Sequence, residues 1–522
     1  MRYLVAGILL GWVAGVAGAE PMPGKQKGST VLVSLKEDGQ IAYAPYTARG
    51  DVLPDFSHCG YGGGGVPLPR VPTKVSLAPS KSEQDDTARI QAALDQVGSL
   101  PLGADGFRGA VKLERGVFRI NGQLRIRHGG VVLRGAGHEA DGTTLVSLTR
   151  ERRPVIVVGG ESGPKELSSA RSEVMDDYVP VGATRFRVAD TTGFQPGQTV
   201  FVIRRSNEAW IRELGMDRIP PRPNGAASQQ WRPFDLKFDR VVTAVEEDVM
   251  VVDAPIACAI DAKWGGGAVV RYEDPARIDR CGVEDLQAVS VVDQKLRERY
   301  RGETILVDEN HATHLVAFGA VKNAWARRLA TKHFFHGPVF MQRDAKWITV
   351  EECASVEPVS KIEGQRRYPY HIEGQLVLVR NCYSDRARHA FIFGSRVPGP
   401  NVFLDCRSTN DYLYSEPHHR WSVGGLYDNV SGRIALQDRL WMGTGHGWAG
   451  ANYVAWNCRG TLIAQKPPTA QNFAIGFVGQ RGKEAFPERE RGWWESEGAF
   501  VQPRSLYEAQ LAARLKSATM KQ

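Results

Sequence analysis

The chain has 522 residues, with 56 glycines, 29 prolines and a formal net charge of +8 at pH 7. So much Gly and Pro excludes a mainly helical architecture and favours strands joined by turns. The basic balance points to an anionic partner. Nucleic acid and anionic polysaccharide both fit that charge; an exported protein meets the polysaccharide more often, so an acidic poly- or oligosaccharide is expected and no nucleic acid.

Export is read from the first residues. Met1-Arg2-Tyr3 is followed by an apolar run from Leu4 to Val16 and by Ala17-Gly18-Ala19. A basic start, a short apolar core and an Ala-x-Ala site read as a secretory signal peptide over residues 1–19, and the run is too short to span a bilayer. The mature protein is therefore expected to be secreted or periplasmic, with no membrane attachment after signal removal. Residues 20–80 form a Gly- and Pro-rich arm. Its Gly62 to Gly65 run lacks the strand and helix context of a phosphate loop, so a tight irregular turn is expected there.

Residues 81–175 open with Asp85-Asp86-Thr87, where either aspartate can cap a helix that carries Ile90, Ala93, Leu94 and Val97 on one face. Short strands punctuated by glycine follow at close intervals, the pattern of a regular all-β coil. The strings D-D-T-x-x-I-Q-x-A-L, V-x-L-x-x-G-x-F-x-I and G-V-x-L-R-G-A-G resemble the N-terminal part of pectate-lyase-superfamily proteins. The match is close from Lys81 to Leu145 and looser, through the repeat below, from Ile278 to Gly479. The resemblance implies a right-handed parallel β-helix with the helix as an N-terminal cap. It does not choose an activity, since lyases, hydrolases, epimerases and phage tailspikes share that fold.

Residues 176–271 change pattern and read as an inserted small antiparallel β module. Within it, Arg204 to Pro233 carries Trp210, Arg212 and Trp231. This segment is read either as a long surface loop or as a cover over a cleft, offering stacking and cationic groups to a sugar chain. The main β-helix resumes over 272–485. In the tail, 486–522, Ser505 and Glu508 have capping-box spacing and Tyr507, Leu511 and Leu515 form a stripe, so a helix docked on the solenoid is expected.

From Trp347 to Cys458 one phrase returns: a strand, an acid or amide, then a small apolar residue. It ends at Glu352-Cys353, Asn381-Cys382, Asp405-Cys406, Asn429-Val430 and Asn457-Cys458, with steps of 29, 24, 24 and 28 residues. Such units are too small to bury their own apolar faces and must stack. The cysteines are expected as buried reduced thiols, with a disulfide between neighbouring turns as the alternative. His336, His371, His389, His419 and His446 give about one histidine per turn, and nine of the twelve histidines lie between His311 and His446.

These histidines, with nearby arginines, form the candidate site. β-Elimination on a uronic-acid polymer needs a cation for the carboxylate, a base for the C5 proton and an acid for the leaving oxygen. Arg388 or Arg420 is the expected neutraliser, His389 or His419 the base, and Tyr370 or His371 the acid. Glu373, Arg396, His418, Trp421, His446 and Trp448 are the expected substrate contacts. No cofactor is required, Ca²⁺ being the alternative source of part of the positive charge. A metal on His371, Glu373 and neighbouring histidines lacks a complete local ligand set. The competing activity is glycoside hydrolysis, pairing Glu373 with Asp405, Asp411, Glu416 or Asp428. A solenoid that only binds glycans is the third reading. Nothing in the sequence fixes the oligomeric state.

Overall fold

The computed structural model describes residues 28–81 and 84–520. The expected signal peptide lies outside the described residues. Among the described residues, no helix is long and apolar enough to cross a membrane.

The chain is a right-handed parallel β-helix, and each full coil contributes one strand to each of three parallel sheets. The first sheet runs through Val321–Lys332, Ala345–Glu351, Leu378–Arg380, Asn401–Leu404, Gly425–Asp428, Val454–Trp456 and Phe473–Ile475. The second takes Ala354–Val356, Tyr383–Asp385, Arg407–Thr409, Ser431–Leu436 and Arg459–Ala464. The third stacks Leu124–Ile126, Ile156–Val158, His314–Phe318, Gly337–Met341, Tyr370–Ile372, Phe391–Ser395 and Pro417–His419.

The repeated phrase is the bend between the first two sheets. Glu352, Asn381, Asp405, Asn429 and Asn457 all have left-handed backbone, φ between 50° and 56°. Asp and Asn tolerate that region better than most L-residues, which explains the acid or amide in the phrase. The cysteine that follows points inward. Its thiol donates to the carbonyl two residues back, as in Cys353 to Glu351 at 3.3 Å and Cys382 to Arg380 at 3.2 Å. All seven cysteines are free and buried, and the four of the phrase, Cys353, Cys382, Cys406 and Cys458, fill the bend as expected.

Inward stacks run along the coil axis. Val350, Val379, Phe403, Tyr427 and Ala455 occupy equivalent positions, and the rings of Phe403 and Tyr427 stack at 5.6 Å. The outward neighbours Leu378, Val402, Leu426, Val454 and Phe473 are apolar too. They are covered by Phe56 of the N-terminal arm and by Leu506 and Tyr507 of the C-terminal helix, Leu506–Met520. Burial of each such side chain contributes roughly 1.5–3 kcal/mol. The bend residue Asp428 holds that helix, accepting from the Ser505 hydroxyl at 2.7 Å and the Tyr507 N–H at 2.9 Å. The glycine run forms its socket: Arg514 donates to the carbonyls of Ser57, Gly63 and Gly64. Gly64 has φ +84°, and a Cβ there would sit 2.1 Å from the Ser57 oxygen.

At the other end, the helix Thr87–Gly98 closes the stack with Ile90, Ala93, Leu94 and Val97 buried. The insertion leaves after the strand Ile156–Val158 and returns at Ile278. It carries a six-stranded antiparallel sheet whose outermost-paired strands in sequence are Lys165–Glu173 and Gly267–Glu273. A buried charge cluster ties it to the coil: Asp239 accepts from Lys346 at 2.6 Å, from Arg277 at 3.0 Å and from the Tyr272 hydroxyl at 2.6 Å. Lys346 and Arg277 hold the Asp239 carboxyl far below the usual range despite its burial. With the first sheet covered, a cleft remains along the third.

Candidate functional site

The cleft, about 710 Å³, lies over the third sheet. Its strands place His371 opposite Phe340 on one side and Ile392 on the other. Loops before the strands bring in His336, Tyr368 and Arg388, and the turn after Ser431–Leu436 brings in Arg439, Thr444 and His446. The histidines therefore converge from unlike positions of the coil and do not form one in-register ladder. His314 stacks on His336 at 4.5 Å, His371 stacks on Phe340 at 4.6 Å, and His419 meets His446 at 4.9 Å.

At the centre is a phenol. The Tyr368 hydroxyl accepts from Arg388 Nη1 at 3.0 Å and from the Gln365 N–H at 2.9 Å, and it faces His418 Nε2 at 3.3 Å. The other nitrogen of His418, Nδ1, lies 3.0 Å from Glu416 Oε1. The imidazole thus lies between carboxyl and phenol; with its proton on Nε2 it can donate to the phenol oxygen while Nδ1 accepts from Arg439 Nη1 at 2.8 Å. Burial raises the Tyr368 pKa, while Arg388, Arg439 and the Gln365 N–H oppose the rise. Burial also pushes Glu416 up to about 7, against the pull of Arg439 and Arg388.

The imidazoles are held neutral. Burial takes His371 to about 3; burial with Arg420 and Arg439 takes His419 to about 3, and burial with Arg439 and His419 takes His446 to about 2. Nδ1 of His419 and Nδ1 of His446 are buried without a hydrogen-bond partner. Arg420 donates to Gln229 of the insertion and to Thr444, both at 2.7 Å. Three arginines line the cleft, Arg388, Arg420 and Arg439, against the one carboxylate of Glu373, whose pKa burial raises.

Among the described residues, His389, Glu416 and His418 form the one cluster with metal-ligand spacing, their ligand atoms lying within 4.8 Å of one another. A cation already stands there. Arg439 Nη1 lies 2.8 Å from Glu416 Oε1 and 2.8 Å from His418 Nδ1, so the donor set fits a guanidinium better than a metal ion. Ca²⁺ favours six to eight oxygen ligands, which this cluster does not offer.

Several expected site residues lie elsewhere. Tyr370 is wholly buried inside the coil, stacked on Phe391 and donating to the carbonyls of Cys353 at 2.7 Å and Tyr383 at 2.9 Å. It cannot reach a substrate. His389, 1% exposed, sits behind Tyr368 and His418, with Nδ1 bonded to the Tyr414 carbonyl at 2.5 Å and Nε2 unpartnered. Trp421 packs edge-on against Trp210 at 4.9 Å, and Trp448 joins the same cluster with Trp231, so all four indoles glue the insertion to the coil. That answers the cover reading of the insertion: its tryptophans are buried and not offered to a sugar, because the apolar coil face beneath demands partners. Arg396 lies over the Phe234 ring at 4.1 Å in the same contact. Of the proposed carboxylate pairs, Asp405 is bonded to Arg504 at 2.5 Å and Asp428 caps the C-terminal helix, both at the bend away from the cleft. Asp411 is held by the Ser408 hydroxyl and does not line the cleft.

His371, Glu373, Arg388, His418, His419, Arg420 and His446 do line it. Sequence reasoning missed Tyr368, Arg439 and His314 as lining groups, and it placed His336 in the histidine series without giving it a role. Tyr368 and Tyr370 flank Pro369, so the same two-residue spacing holds one candidate in the loop and one in the strand; only the strand's inward turn separates them. Arg439 had no local signal.

No protein-family model matches the chain, and no curated protein matches it. Solved structures do. A tailspike protein of Pseudomonas phage LKA1 is 13% identical, covering 76% of this chain and 57% of its own, with a TM-score of 0.45. A tailspike of Acinetobacter baumannii bacteriophage AP22, solved with a capsular saccharide, is 10% identical over 77% and 56%, with a TM-score of 0.41. A GH87 α-1,3-glucanase catalytic domain is 9% identical over 84% and 68%, with a TM-score of 0.32. The chain thus spans a little over half the length of these tailspikes. These are likenesses of fold.

Proposed function

We propose that this chain is a carbohydrate-active enzyme that acts outside the cytoplasm and cleaves an anionic, uronic-acid-containing polysaccharide by β-elimination. The observation that carries the reading is the Tyr368 hydroxyl, held in a cationic cleft between Arg388, the Gln365 N–H and His418. In the reaction we propose, Arg388 stabilises the Tyr368 phenolate, and the phenol's proton passes to His418 as the substrate's charge offsets the burial and the Arg439 charge that hold this imidazole well below its ordinary pKa.

In the proposed reaction Arg420, half-buried at the rim, pairs with the C6 carboxylate and makes the C5 proton acidic. Tyr368 removes that proton. The C5–H electrons form the C4=C5 double bond, the C4–O4 bond breaks, and O4 takes a proton from the same phenol. Burial, with the charges of Arg420 and Arg439, makes His419 a weak base; a carboxylate arriving on Arg420 offsets part of that repulsion and raises its basicity. The roles expected of Tyr370 and His389 pass to Tyr368 and His418.

Hydrolysis is supported by one observation, the elevated pKa of Glu416, which suits a general acid, with Glu373 as the partner in the cleft. Incubation with a panel of uronate polysaccharides separates the readings. Elimination gives the ultraviolet band of a 4,5-unsaturated product, lost in Tyr368→Phe; hydrolysis gives new reducing ends without it. Binding with neither product leaves a glycan-binding solenoid.

A further inference from the structure

A second cavity, about 510 Å³, opens where three parts of the chain meet: the N-terminal arm, the insertion and the late coils. That size falls within the usual range for small-molecule sites, which favour such junctions. None of its lining belongs to the cleft already described.

Its floor holds an unusual group. Arg204 is 3% exposed, and its Nε and Nη1 have no hydrogen-bond partner. The guanidinium lies over the Trp210 ring at 3.9 Å, and the Trp210 indole N–H is fixed by Thr469, which also lines the cavity. A buried guanidinium keeps its charge and is costly without a partner. Both carboxylates that line the cavity are already engaged, and Asp235 acts on Arg204 only through its field. Asp261 accepts from Arg49 at 2.6 Å and from the Lys263 N–H at 3.0 Å; Asp51 accepts from the Tyr178 hydroxyl at 2.8 Å and from the Val181 N–H at 2.8 Å. The lining holds four cations, Arg49, Arg204, Lys263 and Lys466, against those two carboxylates, and Lys466 is also paired with Glu490 at 2.6 Å.

We infer that this cavity is a second ligand site, built for a sugar acid whose carboxylate pairs with Arg204. The rest of the lining suits a hydroxylated ring. Asn452, Thr469 and Gln471 supply polar groups, while Trp264 and Trp493 supply aromatic surface at the mouth. A carboxylate supplies the acceptor oxygens that the unpartnered guanidinium N–H groups of Arg204 lack. The ring oxygens and hydroxyls of the same molecule then reach the amides. The site depends on the insertion: Arg204 ends the strand Thr199–Arg204, and Lys263 follows the short strand Ile260–Asp261. The insertion thereby acquires a role beyond packing on the coil.

Calorimetric titration of the full chain with sodium glucuronate, and separately with a uronate tetrasaccharide, tests this in Arg204→Gln and in Lys263→Gln. Lys263 is exposed, so its variant keeps the test open should the buried one not fold. Each variant is expected to weaken one glucuronate-binding event about tenfold or more, the scale of a lost charge-assisted hydrogen bond, with no matching event for glucose. Tighter binding of the tetrasaccharide would identify the end of a glycan as the occupant, and equal binding a free sugar acid. Wild-type glucuronate affinity in both variants, or inorganic sulfate binding as tightly as glucuronate, would overturn the inference.

Discussion

The hydroxyl of Tyr368 lies 3.3 Å from Nε2 of His418, and two residues further on the hydroxyl of Tyr370 is sealed between two main-chain carbonyls. The two tyrosines should respond oppositely to the same change. Tyr368→Phe is expected to lower kcat on a uronate polymer by at least about a hundredfold, the low end for loss of a proton-transfer group, with little change in melting temperature. Tyr370→Phe is expected to leave kcat intact and cost about 1–3 kcal/mol of stability, because two buried carbonyls lose their donor. Steady-state kinetics and thermal melts on both variants check this, and reversed phenotypes would move the site off Tyr368.

Arg439 stands between Glu416 and His418 where a metal would otherwise sit. Turnover by the wild-type protein is therefore expected to survive chelation. Arg439→Ala leaves Glu416 buried without its cation, a loss of roughly 3–5 kcal/mol, and frees two imidazoles and a carboxylate for Zn²⁺. Zinc should raise the melting temperature of the variant and not that of the wild type. A wild-type activity lost to chelator and restored by a divalent ion would contradict this assignment.

Acid stability follows from the neutral imidazoles. His314, His371 and His419 titrate near 3 in the fold, and His446 near 2, against 6.5 for an unperturbed side chain. Between those values the unfolded chain binds a proton that the folded chain refuses, so stability falls as pH falls. Asp411, Glu416 and Asp428, raised by burial to about 7, act the other way. They hold protons in the fold that the unfolded chain has lost, and oppose the histidines between about pH 4 and 7. Below about 4 the histidines act unopposed, joined by carboxylates held low in the fold such as Asp308, Glu309 and Asp239, the last losing its pairing with Lys346 and Arg277 on protonation. Circular-dichroism melts should show a shallow dependence from pH 7 to 5 and a steep loss below 4. A melting temperature unchanged down to pH 3 would be incompatible with buried neutral imidazoles.

Asp428 ties the C-terminal helix to the stack through Ser505 and Tyr507. Asp428→Ala is expected to cost about 1–2 kcal/mol, the scale of a lost helix cap, and to expose the helix to proteolysis. Turnover should be unchanged, since this residue lies at the bend and not in the cleft. A variant with normal stability but no activity would restore Asp428 as a catalytic carboxylate.

The sequence by itself determined the stack. Spacing of the phrase ending at Cys353, Cys382, Cys406 and Cys458 marked one bend per coil, because only residues tolerant of left-handed backbone followed by a small inward side chain satisfy that bend. The cap helix and the docked C-terminal helix were legible for the same local reason: periodicity and capping act within a few residues. The cleft was legible only in part. His371, His419 and Arg420 could be named from their density along the chain. Whether Tyr368 or Tyr370 faces solvent, whether His389 reaches the cleft, and whether Trp421 and Trp210 meet a sugar or each other depend on inward and outward turns at strand ends and on contacts across more than two hundred residues. Tertiary structure alone decided those, because burial of the apolar coil face under the insertion claims the tryptophans first and leaves the phenol, the imidazoles and the arginines to the cleft.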